Sequence, residues 1–83
     1  DLAEVLAGIL ADTDVHLTRF EIIRGQGKAA RGIRDKLAEV LGAVSRRDLE
    51  GAISDGVKAG LLKEIALEPT TRGRARVELA AAQ

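Results

Sequence analysis

Helix stop and start signals between residues 36 and 62 limit the fold of this chain more than any other feature. Apolar residues recur at helical spacing as far as Gly42, a residue type that commonly ends helices. Ser45 then provides an N-cap, and Asp48 follows where a carboxylate favours a helix N-terminus. A second glycine, Gly60, ends that helix. The segment therefore predicts two helices joined by a short glycine-containing turn.

Two further helices are predicted upstream. Apolar residues at helical spacing indicate an amphipathic helix over about residues 2–11, followed by a short extended segment at residues 15–17. Thr18 and Glu21 then match the capping-box pattern, which predicts a helix that starts at Arg19. The chain therefore opens with helices on both sides of a short extended stretch.

Glycines interrupt the helical pattern in the middle of the chain. Phe20 and Ile23 are expected to face inward from the helix that starts at residue 19. Residues 24–32 contain three glycines, and each glycine costs a helix about 1 kcal/mol relative to alanine. We therefore predict a loop or a frayed, kinked helix there. The apolar stripes expected beyond it are Ile33, Leu37, Val40 and Leu41, and then Leu49, Ala52, Ile53 and Val57.

The end of the chain changes from helical to alternating periodicity. Residues 63–68 and 75–79 alternate apolar and polar side chains, and residues 69–74 between them are rich in turn formers. This predicts a hairpin that packs on the helices, because an isolated hairpin is marginal in water. The apolar residues expected to make that contact are Ile65, Leu67, Val77 and Leu79. The fold class is mainly α with a small β-hairpin: three to four helices plus a C-terminal two-stranded hairpin.

Composition excludes several classes of function. The 83 residues form one expected domain, 1–83, excised from a longer protein. The absence of cysteine excludes disulfides and thiolate metal sites, and no apolar run approaches the roughly 18 residues of a membrane span. We therefore expect a cytoplasmic protein that does not enter membranes. A single aromatic residue, Phe20, leaves few platforms for stacking single-stranded bases.

Charge is balanced overall but uneven along the chain. Lys and Arg number 13, as do Asp and Glu, so the formal net charge is zero. Residues 15–47 nevertheless hold eight Lys or Arg against three Asp or Glu. The charged side chains of residues 1–14, in contrast, are all acidic. A chain with this alternation can present one basic face on a neutral body.

The sequence gives little indication of catalysis or of metal binding. Gly25-x-Gly27-Lys28 is similar to part of a phosphate-cradling loop, but the full GxxxxGK[ST] pattern is absent. His16 is the only histidine and has no cysteine to join it in an ordinary zinc site. No nucleophile, base and orienting group cluster in the sequence. We expect neither an enzyme nor a cofactor or metal.

Four runs together carry a family resemblance: residues 36–42 (KLAEVLG), 45–49 (SRRDL), 52–53 (AI) and 59–62 (AGLL). They resemble prokaryotic winged helix-turn-helix domains over roughly residues 33–79. In that family an LA-x-x-LG helix precedes a Ser-capped recognition helix, which commonly ends in GLL or GLI before a hairpin called the wing. Two departures are a turn one residue longer than usual, at residues 43–44, and the carboxylates Glu50 and Asp55 on the presumed exposed face.

The resemblance implies binding of duplex DNA, through a recognition helix at about 46–60 and a wing at about 69–76. The parent protein would be a transcriptional regulator or a plasmid or phage replication protein. The implied DNA contacts are Arg46, Arg47, Ser54 and Lys58 on the helix, Arg72 and Arg74 on the wing, and Lys28, Arg31 and Arg34 in the preceding segment. The alternative is a winged-helix module for protein interaction or oligomerisation without direct DNA contact. Its partner would be a second copy or other domains of the parent protein.

Overall fold

A computed structural model describes residues 1–68 and 76–82, and within them four helices precede a two-stranded antiparallel sheet. This confirms the prediction of a mainly helical chain with a C-terminal hairpin. The expected hairpin loop, 69–74, lies outside the described residues. The elements are α1 (Leu2–Asp12), α2 (Arg19–Arg24), α3 (Lys28–Leu41), α4 (Arg46–Ala59), β1 (Leu62–Ala66) and β2 (Val77–Ala81).

Side-chain caps set the helix boundaries, as the sequence predicted. At α2, the Thr18 hydroxyl accepts from the Glu21 N–H at 3.2 Å, and the Glu21 carboxylate accepts from the Thr18 N–H at 2.8 Å. At α4, the Ser45 hydroxyl accepts from the Asp48 N–H at 3.0 Å. Gly60 ends α4 in the left-handed conformation, with φ 80°. The capping box and both α4 end signals are therefore confirmed.

The prediction of a loop or kinked helix over residues 24–32 is wrong for most of that segment. Gly25 ends α2 with φ 67°, Gly27 precedes α3 with φ 92°, and α3 then runs unbroken through Gly32. The glycine in the helix is tolerated because the same helix buries apolar side chains that outweigh its propensity cost. These side chains are Ala30, Ile33 and Leu37.

The core lies between the helices and the sheet, and it is purely aliphatic. Its main side chains are Leu6, Leu10, Ile22, Ile33, Leu37, Leu49, Ile53, Leu62 and Leu79. Phe20 was expected inside but is 68% exposed, because the short helix α2 turns Ile22 to the core instead. The stripe predicted for α3 ends early, since Val40 and Leu41 are exposed in its last turn.

The hairpin packs on the helices with only part of the apolar set expected. Glu64 pairs with Leu79, and Ile65 pairs with Glu78. Because directly opposed residues share one face of a sheet, Ile65 lies on the opposite face from Leu79. The prediction that four apolar residues share the packed face is therefore wrong, and of them only Leu79 is buried. Leu62, on the same face as Leu79, supplies the second buried side chain.

The segment after α1 borders the sheet. Leu17 accepts a hydrogen bond from the Leu79 N–H at 2.9 Å, so β2 lies between β1 and residues 15–17. Residues 15–17, predicted to be extended, form neither helix nor strand, and they border β2 through this one hydrogen bond. No helix among the described residues is both long and apolar enough to cross a membrane.

Candidate nucleic-acid interface

Helix α4 carries three exposed cations that the resemblance had singled out. Arg46 and Arg47 lie in its first turn and Lys58 in its last, about 18 Å further along the axis at 1.5 Å per residue. Ser54 lies between them and is half-buried. None of the three cations has a carboxylate oxygen within 4 Å in the described part of the chain, where the ion pairs involve Arg19, Arg76 and His16.

The two arginines of that first turn have different surroundings. Arg47 lines a groove of about 470 Å³ between α4 and the start of α1. Asp1, Asp48 and Asp55 line the same groove, so their carboxylates offset the positive potential there. Arg46 is not among the residues that line it. The positive charge of Arg46 is therefore offset less by the carboxylates of this groove than that of Arg47.

Helix α3 contributes two more of the expected cations, Lys28 and Arg31, and both are exposed. They are three residues apart, so their side chains are neighbours on one side of the helix. Lys28 also lines a mostly apolar groove of about 430 Å³, together with Val15 and Lys36. Arg31 is outside that groove. The structure thus leaves both side chains accessible to an anionic partner.

Arg34 occupies a structural position. Its Nη1 donates to the carbonyl of Ile23 at 3.0 Å, and its Nη2 donates to the carbonyl of Val44 at 2.8 Å. The side chain is half-buried. One guanidinium therefore ties the end of α2 to the turn before α4. Because its donors serve these carbonyls, we omit Arg34 from the proposed DNA contacts.

The wing arginines of the sequence analysis, Arg72 and Arg74, lie outside the described residues. The next arginine, Arg76, precedes β2 and binds three partners. Its Nε donates to Glu78 at 2.9 Å, and its Nη2 donates to Glu21 at 2.6 Å and to the carbonyl of His16 at 3.0 Å. Arg76 therefore fastens the base of the hairpin to α2 and to the segment after α1.

The same contacts shift the pKa values of Glu21 and Arg76. The Thr18 N–H that donates to Glu21 lowers the pKa of that carboxyl, and the hydrogen bond and charge of Arg76 lower it further against the opposing effect of burial. Hydrogen bonds to Glu78 and Glu21 raise the pKa of Arg76. Glu21 and Arg76 are therefore both ionised near neutral pH, and charge-assisted hydrogen bonds hold this cluster of Arg76, Glu21 and Glu78 together.

His16 joins the edge of this cluster. Its Nδ1 lies 3.4 Å from a Glu78 oxygen, and its Nε2 lies 3.3 Å from a carboxylate oxygen of the exposed Asp14. Within the described ranges, no group of three or more His, Cys, Asp or Glu side chains is placed to hold a metal ion. The histidine thus contacts carboxylates at the surface of the hairpin base.

Sequence reasoning missed an exposed cation beside the turn between α2 and α3. Arg24 lies in the last turn of α2, immediately before the turn that leads to α3. The available signal was the absence of any Asp or Glu from residue 22 to residue 34, a stretch that holds four Lys or Arg. Lys28, Arg31 and Arg34 of this stretch were named as candidate contacts, and Arg24 was not.

Comparison of the chain with protein-family models, with curated proteins and with solved structures finds no match.

Proposed function

We propose that this domain is a winged helix that binds duplex DNA. The observation that carries the proposal is a separation of charges. In the described part of the chain, the ion pairs lie between α2, the segment after α1 and the hairpin. The exposed cations of α3 and α4 are left without such partners and available to phosphates. Those proposed as contacts are Lys28, Arg31, Arg46, Arg47 and Lys58, and Lys36 is a further exposed cation of α3.

The order of elements supports the winged-helix assignment. A Ser-capped helix, α4, is followed directly by the antiparallel hairpin, and β1 packs against that helix. Residues 15–17 border β2 on its other side, through the Leu17 carbonyl. This order agrees with the resemblance at residues 36–62. It makes α4 the candidate recognition helix and the hairpin the candidate wing.

Helix α4 has the dimensions for the major groove, which admits one α-helix. Arg46 and Arg47 at its start are suited to guanine edges or to neighbouring phosphates, since guanidinium groups bind both in bidentate fashion. Lys58 is suited to a phosphate at the far end. Glu50 and Asp55 are also exposed on α4 and disfavour close approach of phosphates beside them. Binding should therefore be concentrated near the start of α4.

The salt dependence of binding tests this proposal. The domain is titrated with a labelled random-sequence duplex at several salt concentrations. The logarithm of the binding constant should fall linearly with the logarithm of salt concentration, by about 0.9 per phosphate contact. Replacing Arg46 and Arg47 with Ala should reduce that slope by up to about 2. Arg19→Ala is the control, because Arg19 already pairs with Glu64. Absence of binding at low salt would refute the proposal.

A protein-interaction or oligomerisation module is the second candidate. It is favoured by apolar side chains on the surface, above all Phe20 at 68% exposure and Val40 at 63%. Phe20 lines a groove of about 490 Å³ with Val77 and Leu79. If this reading is correct, duplex binding is absent, and sedimentation shows a mass above the monomer that Phe20→Ala returns to the monomer.

A further inference from the structure

Two turns of the chain are brought together by one side chain. The guanidinium of Arg34 reaches the carbonyls of both Ile23 and Val44. Ile23 directly precedes Arg24, and Val44 lies two residues before Arg46. Arg24 and Arg46 therefore belong to one region of the surface, although they are far apart in sequence. The packing of α2 on both α3 and α4 agrees with this placement.

The charge of this region is strongly positive. Residues 22–34 hold four Lys or Arg and no carboxylate, whereas α4 holds three of each sign. Arg24 and Arg31 are exposed and form no ion pair within the ranges the structure describes. The carboxylates close to these arginines along the helices are Glu21 before Arg24, Asp35 beyond Arg31, and Asp48 and Glu50 beyond Arg46. None of them forms an ion pair within 4 Å with these arginines.

We infer that Arg24, Arg31 and Arg46 form an unassigned phosphate-binding surface where the α2–α3 turn meets the start of α4, and that its ligand is the backbone of duplex DNA. This inference rests on the proposed function and extends the electrostatic centre of binding from the start of α4 to the α2–α3 turn. Arginine suits the role because its planar fork binds phosphate oxygens in pairs. Arg34 acts as a positioning residue, since it holds both turns without facing the ligand.

The backbone of the α2–α3 turn supports the same arrangement. Gly25 has φ 67° and Gly27 has φ 92°, so the turn has a conformation that L side chains rarely adopt. The stem of Arg34 lies 3.4 Å from the point that a Cβ at Gly25 would occupy. The packed stem of Arg34 and its hydrogen bond to the Ile23 carbonyl therefore hold the turn in place. A fixed surface loses less entropy on binding than a mobile one.

The experiment compares two variants with the same change in charge. Arg24→Ala/Arg31→Ala removes two cations from the proposed surface. Lys36→Ala/Lys63→Ala removes two exposed cations elsewhere: Lys36 lies about 140° around α3 from Arg31, at 3.6 residues per turn, and Lys63 lies on β1. Binding to a labelled random-sequence duplex is measured across a range of salt concentrations, and thermal unfolding verifies that both variants are folded.

The first variant should lose at least tenfold in affinity at low salt, and its log–log salt slope should fall by about 2, at about 0.9 per lost phosphate contact. The control should retain the slope of the unaltered protein. If the unaltered protein binds and the first variant keeps its slope, the inference is overturned while the proposed function stands. Equal losses in both variants would also overturn it, because they would indicate diffuse charge. If the unaltered protein does not bind, the proposed function and the ligand assigned here both fail.

Discussion

Replacing Gly56 with Ala should destabilise the fold, because β1 lies unusually close to α4 at this point. A Cβ at residue 56 would lie 2.6 Å from Cδ1 and 3.1 Å from Cγ of Leu62, and 3.5 Å from Cβ of Ala3. Carbon atoms in good contact are about 3.5–4.0 Å apart. Leu62 is only 2% exposed, so its side chain has no room to move aside. The helix must shift away from the strand, or Leu62 must adopt a strained rotamer.

The expected loss of stability in Gly56→Ala is the cost of overpacking minus the gain in helix propensity. Overpacking a core typically costs about 1–3 kcal/mol, and an overlap of about 1 Å with a buried side chain belongs near the upper end. Alanine returns about 1 kcal/mol through its better helix propensity. We expect a net loss of about 2 kcal/mol in the free energy of unfolding. For a domain of this size, that lowers the melting temperature by about 8–16 °C.

Gly51 in the same helix is the matched control, since no atom lies within 4 Å of its Cβ position. Gly51→Ala should raise the melting temperature by about 4–8 °C, from helix propensity alone. Both variants are measured by circular dichroism and by urea unfolding. Adding Leu62→Ala to Gly56→Ala should show a coupling energy above about 1 kcal/mol, because the contact is then removed. Equal behaviour of the two glycine variants would show that the close approach is not a constraint.

Three further predictions concern individual side chains. Arg34→Met should lower the free energy of unfolding by about 2–3 kcal/mol in urea titrations, because two partly buried carbonyls lose charge-assisted donors. The lowered pKa of Glu21 contributes stability that is present above the ordinary pKa of a glutamate, about 4.3, and is lost as the pH falls through the lower folded-state value. Urea midpoints between pH 6 and pH 2 should therefore fall less steeply for Glu21→Gln, and Arg76→Ala should reduce the same pH dependence. Phe20→Ala should change the melting temperature by less than about 3 °C, because Phe20 is exposed. Ile22→Ala, at a fully buried position, should lower the free energy of unfolding by about 2–5 kcal/mol. Similar losses of stability in both variants would contradict the assignment of Ile22 to the buried face of α2.

Local chemistry made much of the fold predictable from the sequence. The capping box at Thr18, the cap at Ser45 and the left-handed glycine at Gly60 act within a few residues, so the pattern alone located those helix ends. The start of α3 was missed for the opposite reason. Its glycines argue locally against a helix, and only burial against α1 and α2 makes the helix favourable.

The hairpin shows where periodicity is insufficient. Alternation identified both strands, but the packed face depends on the register between them. A pairing of Glu64 with Leu79 places Ile65 on the other face, and no local signal specifies that choice. For the candidate site, exposure of Arg46 and Arg47 followed from helical spacing. The carboxylates around Arg47 and the internal role of Arg34 follow from tertiary contacts alone.

The position of β2 between β1 and the Leu17 segment has a kinetic consequence. The hydrogen bond from the Leu79 N–H to the Leu17 carbonyl joins two ends of a long stretch of chain. Bringing the two ends of this stretch together costs conformational entropy before the contact forms. The helices, in contrast, form from residues close in sequence, in about a microsecond. The hairpin should therefore dock late in folding. The Leu79 amide should exchange with solvent deuterium only when the last-assembled part of the molecule opens, and its exchange rate would report that opening directly.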